Sequence, residues 1–133
     1  MDTKLITLDT SRRKFVDLTQ EAKSFCDGKG DGLLNLFAPH STVGLVIMEL
    51  GSQSDTDLDA ALVRLLPRDD RYAHKHGATG HGADYLLPAF LSSSLTVPVE
   101  GGQLLLGTWQ SIVLVDLNVD NPTRQVRLSF VAG

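Results

Sequence analysis

Arg124-Gln125-Val126-Arg127-Leu128-Ser129-Phe130-Val131 is the stretch that decides the fold. From Gln125 to Phe130 polar and apolar residues alternate with a period of two, the pattern of an antiparallel strand with one face on a core and one face in water. It closes a C-terminal third made of strands: Ser94 to Val99, Gln103 to Leu106, Gln110 to Val119 and Arg124 to Val131. Glu100-Gly101-Gly102 reads as a hairpin and Asp120-Asn121-Pro122 as a turn. Working outward, Thr3 to Leu8, Arg13 to Asp17 and Leu33 to Phe37 read as further strands. The nearly unbroken apolar run Val43 to Leu50 suits a central strand buried on both faces. Two helices interrupt the strands. One opens behind Thr19 as N-cap, presents Ala22, Phe25 and Cys26 on one face, and stops at Gly28, Gly30 and Gly32. The other runs from Asp57 to Leu66 behind Ser54-Asp55-Thr56-Asp57, with Leu58, Ala61, Leu62 and Leu65 as its apolar stripe and Pro67 at its end. Tyr85 to Leu91 reads as a short helical turn around Pro88. The expectation is one α+β domain over 1–133, with two main helices packed on a mostly antiparallel sheet.

Composition narrows the function classes. Of 133 residues 42% are hydrophobic, enough for a single core, and the net charge is −4. The basic clusters are Ser11-Arg12-Arg13-Lys14 and the pair Arg124 and Arg127, too sparse for a nucleic-acid footprint. The single cysteine, Cys26, excludes an intrachain disulfide and a Cys-rich zinc site, and reads as a small hydrophobe on a buried helix face. No run approaches the roughly 20 apolar residues of a membrane span. A cytoplasmic chain with no membrane partner is expected.

The chemistry concentrates in residues 68–84, about 17 residues rich in Asp, Arg, Gly and His, longer than ordinary connections. Three of the four histidines, His74, His76 and His81, lie there. In an extended segment His74 and His76 point the same way. His81, or His40 from another element, would complete three imidazole ligands and leave a position open for water, as catalytic zinc sites do. The alternative is a solvated surface loop. His40-Ser41-Thr42 follows a strand and a proline. Its amides and hydroxyls suit an anion, or they satisfy the turn itself. No G-x-S-x-G elbow accompanies Ser41. Glu49 ends an apolar strand and must be exposed, paired or on a cation. Gly107-Thr108-Trp109-Gln110 carries the one tryptophan, suited to a flat heterocycle or to an interface. Arg124 and Arg127 suit phosphate.

Read together, Pro39-His40-Ser41-Thr42-Val43-Gly44-Leu45, Glu49, Asp55-Thr56-Asp57, Tyr72-Ala73-His74, Ser94-Leu95-Thr96-Val97-Pro98-Val99 and Leu106-Gly107-Thr108-Trp109-Gln110 resemble the YjbQ family in order and spacing over essentially the whole chain. The resemblance implies a compact domain with a strongly curved mixed sheet, and a homotrimer. It also implies the family's label of secondary thiamine-phosphate synthase, a transferase joining a pyrimidine methyl pyrophosphate to a thiazole phosphate. The family's Pro-His histidine maps to His40. Its downstream histidine, often paired with a metal, maps to Tyr85, counting back from Thr96-Val97-Pro98-Val99, so this chain has tyrosine where a histidine is usual.

Three functions are expected to compete. In the synthase reading His40, His74 and Glu49 are catalytic, with Glu49 and Asp57 near magnesium. Ser41, Thr42 and Arg127 hold phosphate, and Thr108, Trp109 and Gln110 hold a ring. In a binding-protein reading the chain holds a metal or a small anionic metabolite without turnover. In a hydrolase reading a zinc-type ion on His40, His74, His76 or His81 activates water against a small phosphorylated or amide substrate, and His40, His74, His81 and Tyr85 are the expected metal ligands.

Overall fold

The structure is a computed structural model that describes all residues 1–133. Eight strands and four helices follow in the order β1 (Asp2–Asp9), β2 (Phe15–Asp17), α1 (Thr19–Cys26), β3 (Gly32–Phe37), β4 (Gly44–Met48), α2 (Ser54–Leu65), α3 (His81–Asp84), α4 (Leu87–Phe90), β5 (Ser94–Glu100), β6 (Gln103–Leu104), β7 (Ser111–Val115) and β8 (Thr123–Ala132). The α+β domain with two longer helices is as expected; α3 and α4 add single turns. The sheet is not one mixed layer. Every pairing is antiparallel, and the strands form a five-stranded sheet, β1-β8-β3-β5-β6, and a three-stranded sheet, β2-β7-β4.

The alternating stretch is β8, between β1 and β3. Val126, Leu128 and Phe130 turn inward to meet Leu34 and Leu36 of β3, Val97 and Val99 of β5, Ile112 and Leu114 of β7, and Ala22 and Cys26 of α1. Cys26 is fully buried in this cluster. The opposite face of β7, Val113 and Val115, packs with Leu62 of α2 and Leu87 of α4.

The strand buried on both faces is therefore β7 and not the run 43–50. β4 lies at the edge of its sheet. Both are apolar runs, and pairing, which periodicity does not encode, separates them. The free edge of β4 abuts irregular backbone, where the Leu45 N–H donates to Ser92 O (2.7 Å). β7 stops at Val115, short of the expected Val119, because Asp116 turns its carboxylate inward, where Thr10 and Arg124 donate to it.

Helix starts also differ from expectation. Asp17 Oδ1 takes the Thr19 N–H (2.9 Å), while the Thr19 hydroxyl accepts from the Ile112 N–H (2.9 Å), tying α1 to β7. α2 begins at Ser54, three residues before Asp57, behind Gln53 at φ 75°. No helix is long and apolar enough to cross a membrane. The outer face of the five-stranded sheet leaves Leu33, Phe37 and Val131 exposed, with Leu33 directly cross-strand from Val131.

Candidate metal centre and its adjoining cavity

The segment between α2 and α4 folds over the end of β7, and glycines permit its tightness. Gly77 sits at φ +87°, where a β-carbon would meet the His81 ring at 2.7 Å. A β-carbon at Gly82 would meet the His74 carbonyl oxygen at 2.6 Å. The Gly-rich composition is thus what lets two histidine-bearing turns close on each other.

They bring His74, His76 and His81 together, with one ligand-type nitrogen from each lying within 4.8 Å of the others. Ring centroids are 4.0 Å apart for His74 and His76, 5.3 Å for His74 and His81, and 5.4 Å for His76 and His81. Tyr85 lies against His74 at 3.9 Å and edge-on to His81 at 4.8 Å, a wall on one side of the cluster.

The orientation of His81 is over-determined. It is buried, and its Nδ1 is paired with Asp120 Oδ2. A carboxylate there places a proton on Nδ1, and in the neutral ring this leaves Nε2 as a lone pair. Asn118 Nδ2, 3.2 Å from the same Nδ1, donates instead to Asp84 Oδ2 (2.9 Å). Asn118 Oδ1 is fixed by the Asp120 and Asn121 N–H groups (2.9 and 3.1 Å). Asp84 is held by Arg68 through both carboxylate oxygens. Two buried nitrogens in the cluster have no partner, Nε2 of His81 and Nε2 of His74.

An orphaned buried imidazole nitrogen is costly, and two in one cluster make it a candidate ligand position. The donor set fits a divalent metal: three imidazole nitrogens, one backed by a carboxylate that orients its ring, as ligating histidines usually are.

His40 sits differently. Its Nε2 accepts the Gln125 backbone N–H (2.9 Å), so that nitrogen is already engaged. His40 lines a cavity of about 340 Å³ with Ser41, Thr42, Tyr85, Asn121 and Arg124, and His81 forms part of the wall shared with the histidine cluster. Thr42 is buried and accepts from Arg124 Nη2 (2.9 Å). Arg124 itself is buried, with Nε and Nη2 on the two oxygens of Asp116 (2.8 and 3.2 Å).

The other sequence candidates lie elsewhere. Glu49 accepts from the Ser54 hydroxyl (3.1 Å) at the start of α2, and Asp57 is exposed. Thr108 is exposed and Trp109 is 74% exposed; Gln110 Oε1 holds the Gly107 N–H (2.8 Å) and so shapes its own loop. Arg127 is exposed on the outer face of β8. The strand's parity carried that signal: Arg124 shares the inward face of Val126, and Arg127 does not. The roomiest groove, about 460 Å³, lies between α1 and β6 along Gln20, Lys23, Asp27 and Gln103, away from every histidine. Asp120, Asn118, Arg68 and Asp116 were missed by sequence reasoning. Asp120 and Asn121 carry a turn signal, and nothing in their spacing places them on His81.

An antiparallel α+β domain with a three-histidine centre beside a polar cavity is the class that fold and site define. The chain matches the model of the family described as UPF0047 protein YjbQ-like over residues 4–133, and it belongs to that family. It is 65% identical to the UPF0047 protein Rv2556c of Mycobacterium tuberculosis, covering 100% of both chains. It is 38% identical to a UPF0047 protein of Methanothermobacter thermautotrophicus, covering 98% of this chain and 92% of that one. Among solved structures, a hypothetical protein of Aeropyrum pernix K1 superposes with a TM-score of 0.88 at 28% identity over 100% of both chains. A YbjQ-like protein of unknown function from Sulfolobus solfataricus P2 shares the fold, with a TM-score of 0.91 at 23% identity, covering 99% of this chain and 97% of that one.

The electrostatics of the site make a pH prediction. Burial, then the Arg124 guanidinium, holds the His40 imidazole below its ordinary 6.5. Desolvation, then the neighbouring His76 and His81, does the same for His74. The unfolded chain therefore takes up these protons first, and stability is present above 6.5 and lost as the pH falls below it. Thermal unfolding of metal-free protein from about pH 7.5 down to about pH 5 should show a falling melting temperature, with a shallower slope in His74→Gln and His40→Gln. A flat or inverted slope contradicts the assignment.

Proposed function

We propose that this chain is a metal-dependent hydrolase of a small polar metabolite, built on a zinc-type ion held by His74, His76 and His81. The pair of buried, partnerless nitrogens in that cluster carries the reading. A divalent ion at such a position supplies Lewis acidity, polarising a substrate oxygen and making a water more acidic. The chain's own groups do the rest. Asp120 keeps the Nε2 lone pair of His81 free, and Asn118, Asp84 and Arg68 hold that arrangement rigid. The Tyr85 ring shields one side from solvent, and the adjoining cavity receives the substrate. Tyr85 stands where the family resemblance implies a histidine, and the phenol at that place makes it a candidate fourth group.

The synthase reading implied by the family resemblance draws on Glu49, Thr108, Trp109 and Gln110, which lie apart from His40 and the cavity within this chain. The hydrolytic reading draws only on groups that share one site, and for that reason we favour it. The homotrimer belongs to the same proposal. The exposed apolar row Leu33, Phe37 and Val131 supports it, and a sedimenting mass of one chain removes it.

Calorimetric titration of chelator-treated protein with zinc should show one ion per chain. His81→Ala should abolish uptake, and Asp120→Asn should weaken it by about 10–100-fold. The loaded protein should then cleave p-nitrophenyl phosphate or acetate above a chelated control, and form no thiamine phosphate from the two precursors. Zinc uptake without cleavage of any ester leaves a metal-binding protein in place of a hydrolase. No uptake removes the metal centre.

A further inference from the structure

The cavity beside the histidine cluster holds an imbalance of hydrogen-bonding groups. Behind its wall Asp116 has both oxygens engaged by Arg124 and Thr10, and at its rim Asp120 has Oδ2 on His81. The cavity's donors are not fully engaged. Arg124 has Nε and Nη2 bound, which leaves Nη1 without a partner on a residue only 1% exposed. The Gln125 N–H on His40 Nε2 puts the neutral ring's proton on Nδ1, which has no partner in the chain. The Ser41 hydroxyl and the Asn121 amide nitrogen are likewise free, Asn121 having only its Oδ1 engaged by the Thr123 N–H (3.2 Å). Several unpartnered donors on residues that line one space of about 340 Å³ are complementary to a group that only accepts.

We propose that this cavity is a subsite for a tetrahedral oxyanion, the phosphate of a small phosphate monoester. Arg124 Nη1, His40 Nδ1, Ser41 and Asn121 are its donors. The inference deepens the hydrolase reading and rests on it for the identity of the reacting centre: His81 lines both spaces, so a phosphate in the cavity has the histidine cluster beside it. Charge sets the coupling between the two. Asp116 offsets Arg124, and Asp120 adds a negative charge half-exposed at the rim. The cavity alone is thus not strongly positive, and a divalent ion on the cluster tips it toward anions. Arg127, on the outer face of β8, takes no part.

Calorimetry with inorganic phosphate and with glycerol phosphate, on zinc-loaded and on chelator-treated protein, tests this. Both probes should bind the loaded form at least about tenfold more tightly than the chelated form, the effect of a nearby divalent charge. Ser41→Ala and Asn121→Ala, both at exposed positions, should each weaken phosphate by about fivefold, one hydrogen bond's worth, with zinc affinity unchanged. Arg124→Lys should weaken it further, and Arg127→Ala should leave it unchanged. Zinc uptake with no phosphate binding overturns the subsite and leaves the metal reading standing. Phosphate bound by protein that takes up no zinc does the reverse. Binding that ignores Ser41 and Asn121 places the anion elsewhere and overturns the proposal. Inorganic phosphate binding without the ester overturns the monoester assignment.

Discussion

The buried pair of Asp116 and Arg124 is the contact on which the site depends. Their side chains are 0% and 2% exposed, and they join the end of β7 to the start of β8. Thr10, just after β1, and Thr42, just before β4, bond to the same pair. Four chain segments from both sheets thus converge on one ion pair. Such a pair offers little net stability, since desolvating both charges offsets their attraction, while removing one partner alone costs roughly 3–5 kcal/mol. What it supplies here is position. It ends β7 and turns the chain, and it holds a guanidinium edge toward the cavity.

From that pair a continuous set of hydrogen bonds runs to His81. The Asn118 N–H donates to Asp116 Oδ1 (3.0 Å), and the Asn118 side chain then fixes Asp120 and Asp84. Asp120 sets the tautomer of His81. At the end of that set the Nε2 of His81 is left without a partner, as is the Nε2 of His74 beside it. Unpaired buried nitrogens beside such a network are what the proposed metal centre accounts for. Asp116, Asn118 and Asp120 lie between β7 and β8 and the histidines on the glycine-rich segment, so the histidine positions depend on both.

Much of the fold was legible. The alternation at 125–130 identified an interior strand of the larger sheet, β8, and the two amphipathic stripes identified α1 and α2. Two apolar runs, 43–50 and 111–115, are indistinguishable by periodicity, and which of them is central depends on pairing between segments far apart in the chain. The spacing of His74, His76 and His81 pointed to a cluster. Asp120 and Asn118 did not stand out, because they reach His81 across 37 or more residues and look locally like a turn. Parity along β8 separated Arg124 from Arg127 in principle. Glu49 and Trp109 carry strong chemical character in the sequence, yet the chain uses Glu49 to receive Ser54 and leaves Trp109 in solvent.

The central claim is that three imidazoles from one chain form a metal site whose fourth position is open. X-ray absorption at the zinc edge, on protein loaded with one equivalent, reads this directly. The account predicts three imidazole nitrogens at about 2.0–2.1 Å with one further light ligand, and a shell that loses one imidazole in His76→Ala. A shell of oxygens alone, or an imidazole count indifferent to His74, His76 and His81, contradicts it.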